Sequence, residues 1–166
     1  MNGALNALRE AVTRQLRQAG VNAVTALESG RAARWREPVA AVSLSRVVCA
    51  PGGFKDYLGT RREPGGDERE LYGREAELTL ALDIYAPRDG GEGACQQVAE
   101  AVAENLMCYG AAGLTALELQ TGRAEFLEST GLYRLQISCR CRAWLVAAAE
   151  SGGGAFVNFE VRGRLN

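Results

Sequence analysis

The stretch EAELTLALDIYA, Glu75–Ala86, decides the fold of this chain. Ala76, Leu78, Leu80, Leu82 and Ile84 alternate with Glu75, Glu77, Thr79, Ala81 and Asp83. A period of two lays one side of a strand on a core and leaves the other in water. Pro87 has no N–H to give to a ladder and ends the run. A second stretch, LYRLQISCRCRAWLVA (Leu132–Ala147), repeats the pattern at greater length. Tyr133, Leu135, Ile137, Cys139, Cys141, Ala143 and Leu145 share one face; Arg134, Gln136, Ser138, Arg140, Arg142 and Trp144 share the other. Before it, Leu114–Glu128 reads as a strand bent near Gly122, with Leu117 and Leu119 on one face. The short link Ser129-Thr130-Gly131 makes the two an antiparallel hairpin.

Two helices flank these strands. Leu5, Leu8, Val12, Leu16 and Ala19 recur at spacings of three and four over Ala4–Ala19, with Gly20 as the stop. Ala94–Tyr109 carries Ala94, Val98, Ala101, Val102 and Leu106 on one stripe, stopped by Gly110. Val21–Leu27 reads as a short strand, residues 28–38 as polar and irregular, and Val39–Cys49 as a β-branched strand closed by Pro51-Gly52-Gly53. The order predicts an α+β domain over residues 1–150: a mainly antiparallel sheet with two helices packed on one face. Residues 151–166 read as a glycine hinge (Gly152–Gly154) and a C-terminal strand, Ala155–Val161.

Ala50–Arg74, between the second and third strands, holds no periodic apolar run, six glycines and balanced charges. A structureless loop longer than about 12–15 residues is uncommon inside a compact domain and is functional or disordered. Phe54, Tyr57, Leu58, Leu71 and Tyr72, with Lys55, Arg61 and Arg62 among them, make it an arm that orders against a neighbouring subunit. Interfaces are enriched in aromatic residues, and mixed charges suit reciprocal pairing.

Composition narrows the chemistry. The 166 residues carry 19 basic and 20 acidic side chains and no histidine, and 18 of the basic ones are Arg, Lys55 being the exception. Without His, the commonest general base and metal ligand are missing. Ser has no His partner, Gly90-Gly91-Glu92-Gly93 fails G-x-G-x-x-G at Gln96, and no G-K-[ST] occurs. The pair Glu75 and Glu77 reads as solvated surface. The five cysteines (Cys49, Cys95, Cys108, Cys139, Cys141) read as free thiols of a reducing cytoplasm, and Cys139 and Cys141 put both sulfurs on one strand face. The chain is expected to be no enzyme and to need no cofactor or metal. The first 20 residues lack a signal-peptide core, and no run reaches the roughly 18 apolar residues of a membrane span. Arg134, Arg140 and Arg142 leave one strand face locally cationic. They pair across the hairpin with Glu118 or Glu125, or they meet an acidic partner subunit or DNA phosphate.

This order of elements resembles the tail terminator proteins of long-tailed bacteriophages and their prophage relatives. The resemblance runs over the helix Ala4–Ala19, the strand Val39–Cys49, the arm Ala50–Arg74, AELTLALDIYAP (Ala76–Pro87) and ACQQVAEAVAENLM (Ala94–Met107). The pair LTALELQTGRAEFLE and GLYRLQISCRCRAWLV completes it. It implies a structural protein of the virion tail neck, made in the bacterial cytoplasm. Such a protein forms a ring, commonly hexameric, that caps the tail tube and joins it to the head–tail connector. The implied partners are further copies of the chain, the tube protein, the connector, the sheath protein and DNA in passage, with no membrane. The arm would bridge protomers. Phe156, Val157, Phe159 and Val161, beyond the hinge, would add a strand to a neighbour's sheet. Tail completion and head–tail connector proteins share the fold and are the alternative reading. A small-molecule-binding regulatory oligomer and a carboxylate-based hydrolase are the more remote ones.

Overall fold

The computed structural model describes residues 3–25, 35–49, 57–149 and 156–164, apart from the side chains of 148–149 and 156–159. In chain order the elements are α1 (Ala4–Gln18), β1 (Ala23–Val24), β2 (Val39–Cys49), β3 (Tyr57–Arg62) and β4 (Glu68–Pro87). They continue with α2 (Gly91–Tyr109), β5 (Thr115–Thr121), β6 (Glu125–Leu127), β7 (Leu132–Ala149) and β8 (Phe156–Arg162). The two alternating stretches are the centre of one eight-stranded sheet. β4 and β7 run antiparallel without a slip from Glu70↔Ala149 to Pro87↔Leu132. On the outer side of β4 lie β2, paired from Tyr85 to Ala76, and then β3, paired from Tyr72 to Glu68. On the outer side of β7 lie β6, β5 and β8 in turn. Among the described residues the single parallel pairing is β1 with β2.

The α+β class, the antiparallel sheet and the helices on one face are as the patterns predict. Leu78, Leu80, Leu82 and Ile84 of β4 and Ile137, Cys139 and Cys141 of β7 are fully buried against both helices. The helices supply Leu8, Val12 and Leu16 from α1, and Cys95, Ala99, Val102 and Leu106 from α2. α1 ends as its glycine predicts. Gly20 takes φ +86°, its N–H bonds Arg17 O, and the Val21 N–H reaches back to Leu16 O at 3.0 Å. That is the paired closure by which a left-handed residue satisfies a helix's last carbonyls.

Four expectations need correction. The arm is not structureless from Tyr57 onward: Tyr57–Arg62 and Glu68–Arg74 form a hairpin that continues the sheet, and 50–56, with Phe54 and Lys55, lie outside the described residues. β8 pairs with its own chain's β7, Leu145↔Val161 and Ala147↔Phe159 among the partners, in place of adding to a neighbour. Leu117 does not share the face of Leu119, because a bulge between Ala116 and Glu118 breaks the alternation. It is 36% exposed while Leu119 packs on the core. Lastly, only Ala23–Val24 of the strand expected over Val21–Leu27 is present among the described residues.

One node joins the layers, and periodicity did not reveal it. Gln15 of α1 donates from Nε2 to Asn105 Oδ1 (2.7 Å) and to Gly110 O (2.8 Å), and its Oε1 accepts from the Ala112 N–H (2.8 Å). Asn105 and Gly110 lie at the end of α2, and Ala112 lies in the turn Ala111–Leu114 that starts β5. Ala112 (φ 51°) and Gly113 (φ 85°) make this turn the mirror-image kind that matches strand twist. A half-buried amide with three partners fixes the crossing of the two helices. Gln15→Ala is expected to cost about 2 kcal/mol in urea unfolding, because three partners lose their bonds at once. Gln18→Ala, one turn on and exposed, serves as the near-neutral control.

Candidate functional site

The helices bury β4 from Ala76 to Ala86, and α1 also meets β8. Beyond that, the order β3-β4-β7-β8 carries on as a four-stranded ribbon. Within it Tyr57 and Tyr72 face each other across the ladder, ring centroids 5.6 Å apart and steeply tilted. The Tyr72 hydroxyl donates to Glu70 at 2.7 Å, which raises its pKa above the ordinary phenol value. On the other face Leu58 lies over Gly73, where any Cβ would strike its Cδ1. A bulge between Tyr57 and Gly59 turns Leu58 onto that glycine. Of the arm residues, Tyr57, Leu58, Leu71 and Tyr72 are thus brought together within the chain, and Arg61 and Arg62 sit on the outermost strand. Arg61 pairs with Glu63 at 2.7 Å. Near the end of β2, Val47 is 39% and Val48 44% exposed, on opposite faces of the strand; Tyr57 at the start of β3 is 49% exposed, and Met107 and Tyr109 at the end of α2 are 58% and 74% exposed. Exposed apolar side chains of this kind invite a partner.

The arginine row meets acids on its own sheet. Arg134 donates from Nε (3.0 Å) and Nη2 (2.8 Å) to Asp83 Oδ1, and this hydrogen bonding raises its pKa. Arg140 bridges two strands, Nη1 to Glu77 at 3.2 Å and Nη2 to Glu118 at 2.9 Å, and Arg142 Nε stands 3.5 Å from Glu75. Glu118 is one of the two partners foreseen; the rest come from β4, and Arg134 takes Asp83 where Glu125 was foreseen. Register explains this: Arg142 lies opposite Glu77, Arg140 opposite Thr79 and Arg134 opposite Tyr85, so each guanidinium reaches diagonally to the next acid. The face is a charge-balanced ladder. Exposed pairs of this kind contribute about 0–1 kcal/mol each, so their effect is to set register and solubility.

Two further features bear on chemistry. A shallow groove of about 470 Å³ lies between the α2 stripe Glu92, Gln96, Glu100, Ala103 and the β5–β6 junction Thr121–Ala124, floored by Ala99 and Leu135. The junction forms because β7 is left for a moment without a regular neighbour. Only the Gly122 N–H bonds Gln136 O, at 2.7 Å, between the two short strands. The Cys139 and Cys141 sulfurs are 3.6 Å apart, on one face and fully buried, as the C-x-C spacing predicts. Hydrogen bonding to Cys139, and then burial, push the Cys141 thiol well above the ordinary thiol range, so it is a neutral core group. Burial raises Cys95 as well. Among the described residues no cluster of three or more Cys, Asp or Glu is placed to hold a metal ion. No described helix is long and apolar enough to cross a membrane. Side chains of Phe156, Val157 and Phe159 lie outside the described residues, and Val161 packs against the core.

Neither protein-family models nor the curated proteins give a match to this chain.

Proposed function

We propose that this chain is a structural, self-associating assembly protein of the phage tail terminator kind. In this reading its copies form a ring, commonly a hexamer, that caps a tail tube and meets the head–tail connector, with DNA passing through. The observation that carries the reading is the ribbon. The β3-β4-β7-β8 ribbon carries the sheet past the part of β4 that the helices bury, and Val47 and Val48 near the end of β2 and Tyr57 at the start of β3 are exposed. A lone monomer has no use for such a surface, whereas a subunit interface places aromatic and aliphatic groups at its centre. The element order of the terminator family supports the same reading.

The experiment is light scattering on the purified chain after size exclusion, alone and with a tail tube protein. The wild type is expected to run as a multimer near ring size. Val48→Glu is expected to run as a monomer with an unchanged melting temperature, since the side chain is 44% exposed. A wild type that stays monomeric at about 100 µM overturns the reading. Binding to a connector in the absence of any tube affinity would reassign the ring to the connector or completion role.

A further inference from the structure

We infer that copies of this chain join edge to edge: β3 of one copy adds to the free edge of β5 of the next, beside α2. This rests on the self-associating reading above and names the two surfaces that would meet. Among the described residues, β3 pairs only with β4 and β5 only with β7, so each presents one row of unpaired main-chain N–H and C=O groups. The two rows lie on opposite borders of the sheet, β3 outside β4 and β5 outside β7. Edges of this sort are ordinarily shielded by proline, charged side chains, a bulge or a covering element. Neither YLGTRR nor TALELQT contains a proline or a lysine. Each strand has one bulge near its start, after which four regular residues remain: Gly59–Arg62 on β3 and Glu118–Thr121 on β5. The segments therefore match in length.

Charge matches as well, on both faces. Arg62 lies opposite Glu68, on the side of the sheet that carries Leu78 and Leu80 and is covered by the helices. When the sheet continues into a neighbour, that side meets α2, whose Glu92, Gln96 and Glu100 rim the groove at the end of β5. Spread over 12 residues from Glu92 to Ala103, this rim is about 16 Å long, the reach of about five residues of extended strand. Arg61 lies opposite Arg69, on the other side of the sheet, which in β5 carries Glu118. The β3 edge thus bears two arginines and no acid, and β5 bears one glutamate and no base. Arg123, at the far end of the groove, is the exception and would mark where the added strand stops. Arg61 and Glu118 now pair with Glu63 and Arg140 in exposed contacts that exchange cheaply. Because the contact joins two different borders, it repeats head to tail, the arrangement that closes a ring.

The test uses the full chain in two charge-reversed forms, Arg61→Glu/Arg62→Glu and Glu100→Arg/Glu118→Arg. Each alone is expected to associate at least about 100-fold more weakly than the wild type, as like charges oppose each other across a desolvated contact. Mixed in equal amounts they are expected to assemble again, alternating, since each reversed edge then faces its complement. Reversed forms that assemble like the wild type overturn this inference while leaving the self-associating reading intact; so does a mixture that stays monomeric while both forms keep the wild-type melting temperature. A monomeric wild type overturns the reading beneath it. Glu92→Arg/Glu100→Arg, exposed on α2 and outside every ion pair described, replaces the second form if Glu118→Arg lowers the melting temperature.

Discussion

Gly110→Ala is expected to destabilise the chain by roughly 3–5 kcal/mol, more than any other glycine replacement in the helix layer. Gly110 ends α2 at φ 70°, ψ −169°, a region open to little else than glycine, where strain of about 1–3 kcal/mol falls on any other residue. Space is closed to the new methyl as well. A Cβ at this position would run into the carbonyl oxygen of Leu114, which is main chain and accepts the Ala111 N–H of the tight turn. The turn cannot yield without losing the Gln15 bonds to Gly110 O and Ala112 N, each contributing about 1 kcal/mol. Urea unfolding followed by circular dichroism measures the loss. A change below about 1 kcal/mol would mean that the junction of the two helices with β5 is soft. Gly20→Ala, also at positive φ but with open space around it, is the comparison that separates strain from collision.

Leu80→Ala is expected to cost about 3–4 kcal/mol, within the range of large-to-small replacements at rigid core sites. Leu80 is fully buried in the middle of β4. Its row across the sheet is Leu44, Leu80, Cys139 and Leu119, all on the helix side. The ladder to β7 is unbroken and the one to β2 slips only past Leu44, so the sheet side of the cavity is held in place. Leu117→Ala, on the β5 bulge, should cost less than 1 kcal/mol because its side chain is already 36% exposed. Equal losses at the two sites would contradict the one-sided core that the alternation in Glu75–Ala86 implies.

What was hidden in the sequence follows from where stability comes from. Glu75–Pro87 was legible because burial imposes its period on the residues themselves. Glu68–Arg74 belongs to the same strand yet reads ERELYGR. There the ladder to β3 and β7 holds the chain, and main-chain hydrogen bonds leave no mark on side-chain choice. A turn signal was nonetheless present in Glu63-Pro64-Gly65-Gly66-Asp67. Gly66 takes φ 92° and donates to Glu63 O, and the Glu63 N–H bonds Asp67 O at 2.8 Å. Proline and glycine between two strand-like runs mark a hairpin as readily as a loop. The Gln15 node was hidden for a different reason: polar contacts between residues about 90 positions apart have no periodicity.

The same division holds for the surfaces proposed to function. The sequence alone determined the α+β class, the two helix stops, the antiparallel hairpin of Leu114–Glu128 with Leu132–Ala147 and the shared face of Cys139 and Cys141. Each of these depends on residues close in the chain and on the repeat of a single backbone geometry. Only the tertiary structure decided that β8 returns to its own β7, that Arg134, Arg140 and Arg142 find acids chiefly on β4, and that β3 and β5 become opposite free borders of one sheet. Those outcomes depend on strand order and register, which are set by how distant segments share a core. No local pattern carries that information.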